Sequence, residues 1–171
     1  MSRPRSARRS SAPREPWWRG SRGEAWVLGQ VVLMALVFLG PRTLPGWPHW
    51  VQARLFLPLG CVLMAAGGLL LFAAALRLGP ALTPLPYPRP AARFVRTGAY
   101  ALVRHPIYSG GLILALGWTC CVQGWLTLGY TLLLFLFLDL KSRREETWLL
   151  AKYPEYAHYQ RQVSKLIPYV Y

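Results

Sequence analysis

The stretch "LFLPLGCVLMAAGGLLLFAAAL", Leu55 to Leu76, contains no charged residue, and it is long enough to cross a hydrocarbon layer of about 30 Å as a helix. A second apolar run, residues 124–140, carries one charge, Asp139, near its end. Two weaker uncharged runs, 26–40 and 107–123, are shorter or richer in glycine. With 54% hydrophobic residues in a chain of 171, these runs predict an all-α integral membrane protein with about four transmembrane helices.

The positions of the cations predict the topology. Of the 20 Lys and Arg residues, seven precede residue 26, five lie in 77–106 and six follow Leu140, which places 18 of them on one side of a four-helix path. Short cytoplasmic loops carry such an excess, so both termini are expected in the cytoplasm. The composition, rich in Arg, Ala, Gly and Pro, favours a bacterial inner membrane. Topology and anionic headgroups account for the net charge of +14, so the expected partner is the lipid bilayer rather than nucleic acid.

Composition also predicts the boundaries. Residues 1–24 are rich in Arg, Ser and Pro, which indicates a basic, disordered cytoplasmic tail, with a signal or transit peptide as the alternatives. Prolines alternate from Pro84 to Pro90 and predict a stiff, extended loop between the second and third helices. The membrane domain, 25–171, is expected to contain helices near 26–44, 55–78, 106–123 and 124–152, followed by short cytoplasmic or interfacial helices in a C-terminal segment, 155–167.

Cysteine and histidine spacing gives no indication of a metal site. The three cysteines lie inside apolar runs without the spacing of a metal site or a disulfide framework, which indicates structural roles. His49 and His158 have no ligand partners at helical spacing, so neither is expected to bind a metal.

The segment "GAYALVRHPIYSGG", residues 98–111, opens the third helix with polar residues. Proline is well tolerated in a first helical turn, so the helix is expected to begin near Pro106. Its free N–H groups, flanked by Arg104 and His105, favour an anionic group. The alternative is that the two cations simply reach the membrane surface. The glycines that follow permit a close backbone approach, either of a ligand or of another helix, for instance through Gly111 and Ala115.

Two adjacent carboxylates, Glu145 and Glu146, lie on the continuation of the fourth helix. A short turn near Gln123 makes the third and fourth helices an antiparallel hairpin, so their ends on the cytoplasmic side lie side by side. The sequence therefore predicts that the Glu pair meets Arg104 and His105 in one pocket. An interfacial amphipathic helix is the alternative interpretation of this stretch, although adjacent Glu residues fit an anionic lipid surface poorly.

Three motifs in combination carry a family resemblance. They are RHPxYxG at Arg104, EExxL at Glu145, and a PEYxxY segment that runs to Ile-Pro at Pro168. Over residues 80–168 the chain resembles the isoprenylcysteine carboxyl methyltransferase family, which is related to the phospholipid N-methyltransferases. The resemblance implies an integral membrane enzyme that uses S-adenosylmethionine at the cytoplasmic face.

The resemblance also implies the site residues. Those expected to bind the cofactor are Gly98, Tyr100, Leu102, Arg104, His105, Pro106, Tyr108, Gly110, Glu145 and Glu146. Those expected to be catalytic are Glu146, Lys152 and Arg144. Lys152 would orient an acidic acceptor. The chain departs from the family pattern in two places, with Ala99 between Gly98 and Tyr100 where proline is usual, and Tyr153-Pro154 where Phe-Gly is usual.

The chemistry implied by the resemblance needs few catalytic groups. Methyl transfer from a sulfonium is an in-line displacement, for which the protein supplies position and electrostatics. A carboxylate acceptor is already ionised at neutral pH, so formation of a methyl ester on a lipophilic acceptor is favoured. An amine acceptor would need Glu145, Glu146 or His105 as a base, and phospholipid or amine N-methylation remains the alternative. A non-enzymatic membrane scaffold is the second alternative, and the oligomeric state is open.

Overall fold

The computed structural model describes residues 23–47, 53–79, 82 and 94–171. Within these residues the chain forms six helices and no regular strand. The helices are α1 (Glu24–Leu39), α2 (Ala53–Leu78), α3 (Ala99–Leu102), α4 (Pro106–Val122), α5 (Trp125–Lys152) and α6 (Tyr156–Gln162). The all-helical class predicted from the sequence is therefore confirmed for the described part of the chain.

Helices α2 and α4 pack backbone to backbone through two pairs of glycines. A Cβ atom added to Gly67 would lie 2.7 Å from the carbonyl oxygen of Gly110, and one added to Gly110 would lie 2.8 Å from that of Gly67. Gly60 and Gly117 make the same reciprocal contact, at 2.6 and 2.7 Å. Because the glycines on each helix are seven residues apart, both pairs lie on one face and let the helices approach closely.

The opposite face of α2 is apolar and exposed. Leu55, Val62, Leu69 and Leu76 also follow a spacing of seven residues, and each is between 64% and 69% exposed. A continuous apolar stripe of this kind is typical of a helix that faces lipid. Two helices in the described residues, 54–78 and 125–152, are long and apolar enough to cross a membrane, whereas α1 and α4 are shorter apolar helices. A count of four spans stays a prediction.

Helix α5 is positioned by α1 and α4. The buried core between them contains Val37, Ala115, Leu134 and Leu138. Gln123 connects α4 to α5 in the left-handed conformation, with φ 50° and ψ 41°. The connection is short, so the first turn of α4 and the last turns of α5 lie at the same end of the hairpin. That end holds the candidate site.

Helix α1 is shorter than the sequence predicted. It ends at Leu39 instead of residue 44, because Gly40 adopts an extended backbone and Pro41, the next residue, cannot donate a helical hydrogen bond. The predicted tail lies outside the described residues except for Gly23 and Glu24, and Glu24 is the first residue of α1. The proline-rich loop lies almost wholly outside the described residues.

Candidate functional site

The start of α4 is held by the closing segment, residues 163–166. Val103 and Ser164 form an isolated parallel bridge. The backbone N–H of Arg104 donates to the carbonyl of Ser164 at 2.8 Å, and that of His105 donates to Lys165 at 3.2 Å. These bonds fix the backbone of the two cationic residues before α4 begins. Their side chains are consequently directed toward α5.

The carboxylate of Glu146 lies at the centre of a buried polar network. It accepts a hydrogen bond from Arg104 Nε at 2.7 Å, lies 3.1 Å from His105 Nε2, and accepts from Gln160 Nε2 at 2.9 Å. Arg104 also donates from Nη1 to the backbone carbonyls of Gln160 and Val163. An ion pair with so little exposure, 11% and 8% for the two side chains, persists because its remaining donors and acceptors are satisfied.

Glu145 extends the network on the other side of His105. Its carboxylate accepts a hydrogen bond from the Tyr108 hydroxyl at 2.6 Å and lies 3.4 Å from His105 Nδ1. The rings of His105 and Tyr108 stack with centroids 5.5 Å apart. The structure therefore brings the Arg104–Tyr108 segment and the Glu pair together, across 37 to 42 residues of sequence.

Two groups next to the carboxylates have shifted pKa values. Burial lowers the pKa of His105, but hydrogen bonds and charge from Glu145 and Glu146 outweigh burial, and the net pKa is raised above its usual value. The two neighbouring carboxylates therefore favour the protonated form of His105. Burial and the charge of Glu145 raise the pKa of Tyr100 to about 12, so its hydroxyl stays protonated and can donate.

The remaining residues predicted to bind a cofactor lie in different surroundings. Gly98 has φ 65° and precedes α3, and the Tyr100 carbonyl accepts from the Tyr159 hydroxyl at 2.5 Å. Pro106 is buried as the first residue of α4, whereas Leu102 is 49% exposed. Gly110 faces Gly67 of α2 in the tight helix contact. Gly111, by contrast, faces open space. Roles for these residues in binding a cofactor stay predictions.

Two residues predicted to be catalytic lie on other faces of α5. Arg144 is exposed, and its guanidinium lies 5.4 Å from the centre of the Trp148 ring. The ammonium of Lys152 lies 5.1 Å from the centre of the Tyr153 ring. By helical spacing, neither residue shares the face of α5 that presents Glu146, whereas Lys152 follows Glu145 by seven residues and shares the face of that carboxylate. Catalytic roles for Arg144 and Lys152 stay predictions.

Sequence reasoning missed Lys141, the cation that is buried beside the site. Its side chain is 1% exposed. Its ammonium donates to the Gln30 side chain at 2.6 Å and lies 5.2 Å from the centre of the Tyr108 ring. Because Lys141 precedes Glu145 by four residues, helical spacing places both on one face. That spacing is a usable signal, whereas the charge pattern identifies Lys141 only as one of the six cations that follow Leu140.

The hydroxyl of Tyr156 is a buried polar group that could donate a hydrogen bond to a ligand. The residue is 2% exposed, and the hydroxyl makes no hydrogen bond of acceptable geometry within the described chain. Burial and the nearby charge of Glu146 raise the pKa of Tyr156 well above its usual value, so the hydroxyl is a donor. A buried donor without a partner is costly, and a bound molecule with an acceptor group would satisfy it.

Comparison with known proteins identifies the family. Residues 55–156, more than half of the chain, match the family model for phospholipid methyltransferases. The chain belongs to the phospholipid methyltransferase family. The matched segment of this phospholipid methyltransferase family member runs from α2 to the first residue of α6, and so contains the Arg104–Tyr108 segment and the Glu pair. No curated protein matches the sequence closely enough to be considered a relative.

The fold is similar to that of a solved membrane enzyme. The structure of the eukaryotic intramembrane Ras methyltransferase, an isoprenylcysteine carboxyl methyltransferase, matches with a TM-score of 0.62 and 22% sequence identity. The match covers 86% of this family member and 52% of the solved chain, so this chain spans about half the length of that structure. The family match and the shared fold together confirm the resemblance that the three motifs predicted.

Proposed function

We propose that this protein transfers a methyl group from S-adenosylmethionine to a lipophilic acceptor at the cytoplasmic face of a membrane, and that it forms a methyl ester. The observation that carries the proposal is the buried network in which Arg104, His105, Glu145 and Glu146 converge. Two anions and two cations within one pocket complement the charged amino-acid portion of the methyl donor. Membership of a methyltransferase family supports the same reaction class.

The polar groups of the network match those of the donor. Glu145 and Glu146 would accept hydrogen bonds from the donor's ammonium or ribose hydroxyls. The unsatisfied Tyr156 hydroxyl would donate to its carboxylate. Arg104 and His105, whose hydrogen bonds already run to the Glu pair and to backbone carbonyls, would place positive charge beside it. When bound, S-adenosylmethionine supplies a methyl group on a sulfonium, which needs no further activation. The protein's part is then to position both reactants and exclude water.

The buried lysine favours a carboxylate acceptor. Lys141 presents an ammonium next to Tyr108 on the face of α5 that carries Glu145, where it would attract an anionic group of the acceptor. The resemblance implies this role for Lys152, which lies over Tyr153 and is the alternative to Lys141. A carboxylate held there is ionised at neutral pH and requires no base.

An amine acceptor is the second candidate, because the family model that matches is that of the phospholipid methyltransferases. An amine must lose a proton before or during transfer. Glu145, which contacts both His105 and Tyr108, would be the base that accepts this proton. The two reactions give chemically different products. Methyl esters hydrolyse in mild base, whereas methylated amines do not.

The membrane location follows from the exposed apolar surfaces. Helices α1, α2, α4 and α5 would cross the bilayer, with the site at the cytoplasmic end and both termini in the cytoplasm. A bacterial inner membrane is the proposed location. A lipophilic acceptor would reach the site sideways from the bilayer, since the part of α5 that precedes the network exposes apolar side chains such as Leu136 and Leu140.

Calorimetric titration of the full chain in detergent with S-adenosylmethionine tests the proposal. The wild-type protein is expected to bind, and Glu146→Gln and His105→Ala are each expected to weaken binding about 100-fold, because each leaves a buried charge without its partner. The matched control is Glu155→Gln, which makes the same chemical change at an exposed position and should bind like the wild type. Absence of heat with the wild type would indicate a scaffold without enzymatic activity.

The acceptor class is tested with tritiated methyl donor in reconstituted vesicles. Volatile tritiated methanol released by mild base is expected from the lipid-soluble product if a carboxyl group is methylated. A base-stable product would favour the amine acceptor. Lys141→Met should reduce transfer while leaving donor binding intact, whereas Lys152→Met should change neither.

A further inference from the structure

An open groove with a volume of about 480 Å³ lies beside the candidate site. It is formed by the end of α5, the last residues of α6 and the segment that follows. Its polar lining includes Arg104, Arg143, Arg161, Lys165 and Glu146. It shares Arg104, Glu146 and Gln160 with the network, whereas His105, Tyr108 and Glu145 do not line it. The groove therefore borders the network at the Arg104–Glu146 pair and does not include the His105, Tyr108 and Glu145 part of it.

The cations of the groove outnumber the carboxylates that pair with them. Asp139 accepts from both Lys165, at 2.5 Å, and Arg143, at 2.9 Å, and its Oδ1 also accepts from the Tyr171 hydroxyl. One carboxylate thus holds two cations at the groove. Arg161 is exposed at its edge. With Arg104 paired to Glu146, four cations face two carboxylates, and the excess positive charge favours an anionic ligand.

The position of the groove along α5 indicates at which depth of the membrane that ligand would lie. Leu136 and Leu140 of α5 are 57% and 55% exposed, and Arg143 follows within one helical turn, about 5 Å farther along the axis. Val170 lines the groove and is 79% exposed. If α5 crosses the membrane as proposed, the groove lies at the depth of the lipid headgroups, with apolar surface directly below it.

We propose that this groove binds the phosphate of an anionic phospholipid, which is a bound ligand and not the methyl acceptor. The guanidinium groups of Arg143 and Arg161 would contact the phosphate, and the acyl chains would lie along the exposed leucines of α5. Asp139 orients Arg143 and Lys165 for this contact. The inference rests on the proposed membrane location of α5 but not on methyl transfer.

Native mass spectrometry of the full chain in detergent tests the site. The protein is titrated separately with dioleoylphosphatidylglycerol, with dioleoylphosphatidylcholine and with inorganic phosphate. The first molecule of phosphatidylglycerol that binds is expected to bind at least about fivefold more tightly than the first molecule of phosphatidylcholine, since one cation near the surface contributes about 1 kcal/mol. On the same basis, Arg161→Gln should weaken that binding about fivefold, and Arg143→Gln combined with Arg161→Gln about 25-fold.

The matched control is Arg96→Gln, which removes the same charge from an exposed residue outside the groove. It should leave phosphatidylglycerol affinity unchanged, and an equal loss in this variant would overturn the proposal in favour of general surface charge. Equal affinity for phosphatidylcholine, or equally tight binding of inorganic phosphate, would overturn the lipid assignment. Displacement of the lipid by S-adenosylhomocysteine would make the groove part of the donor pocket instead. The titrations of the wild-type protein with the two lipids and with phosphate test the lipid assignment even if a variant fails to fold.

Discussion

Helix α4 contacts α2 and α5 in opposite ways. Toward α2 it presents Gly110 and Gly117, whose backbones touch glycines of the other helix. Toward α5 it presents Tyr108, Ala115 and Thr119, and two of these make side-chain hydrogen bonds to α5. Both sets follow helical spacing, so a single helix carries a face without side chains and a face that bears polar groups.

The difference separates position from chemistry. The α2 face sets the distance between two helices and offers no donor or acceptor to a ligand. The α5 face ends in the buried network and depends on every partner being present. A substitution on the first face should act by forcing the helices apart, and one on the second by leaving a polar group unsatisfied.

The largest effect is expected from Glu146→Ala, on the α5 face. It leaves Arg104 and His105 as buried cations without this carboxylate, and the free energy of unfolding should fall by about 3 kcal/mol. Reversible unfolding in mixed micelles measures the change. Glu155→Ala, at an exposed position, should change stability by less than about 0.5 kcal/mol. A similar small change in Glu146→Ala would mean that the network contributes little.

Neighbouring glycines of α2 provide a test of the other face. Gly67→Ala places a methyl group 2.6 Å from the backbone nitrogen of Leu114 and should cost about 2 kcal/mol by overpacking. Gly68→Ala meets nothing within 4 Å and should stabilise α2 slightly, by up to about 1 kcal/mol. The two variants should shift the unfolding midpoint in opposite directions. If both stabilise the protein, the tight contact is not a constraint.

Tyr108→Phe removes one hydroxyl from the polar face and leaves the ring stacked on His105. Loss of the hydrogen bond to a charged carboxylate should cost about 1.5 kcal/mol, measured by the same unfolding assay. Tyr130→Phe makes the same change in a residue that packs against the core and serves as the control. Equal costs for the two variants would argue against a special role for the Glu145 contact.

The polar face should also make stability depend on pH. Because the folded pKa of His105 is raised, its protonation stabilises the folded state fully below the unfolded value of about 6.5. This contribution is lost as pH rises through the folded pKa, with a slope no steeper than about 1.4 kcal/mol per pH unit. Unfolding measured above about pH 6.5 should show the decline, and His105→Gln should lack it. A rise in wild-type stability over that range would contradict the assignment.

The smallest effect is expected midway along the α5 face. The hydroxyls of Thr119 and Thr131 lie 2.9 Å apart between α4 and α5. A double-mutant cycle with Thr119→Val and Thr131→Val should give a coupling energy of about 0.6 kcal/mol, the usual size for a hydrogen bond between membrane helices. A coupling near zero would show that the two hydroxyls act independently, since Thr119 also donates to the carbonyl of Ala115.

The sequence predicted the convergence of the two polar clusters because both depend on local signals. Pro106 marks the start of α4, the short turn at Gln123 folds α5 back beside it, and the Glu pair then lies opposite Arg104. Each step needs only chain connectivity and helical geometry. For the same reason the family resemblance, which rests on these motifs, could be identified without a structure.

Other contacts could not be predicted because they depend on partners distant in sequence. The pairing of Arg104 and His105 with the closing segment uses backbone atoms, which every residue has. The glycine contact required the register between α2 and α4. Spacing alone suggested that α4 packs through Gly111 and Ala115, whereas the contact with α2 uses Gly110 and Gly117. Burial of Lys141 depends on Gln30 of α1, which no motif connects to α5.

The backbone bonds between the start of α4 and the closing segment also bear on biosynthesis. Arg104 and His105 receive their partners from Ser164 and Lys165, which the ribosome adds 60 residues later in each case. Until those residues emerge, the backbone of Arg104 and His105 lacks the partners that fix it ahead of α4. The site can consequently be completed only after residue 165 has been added, and a nascent chain arrested before residue 163 would hold α4 and α5 without a finished site.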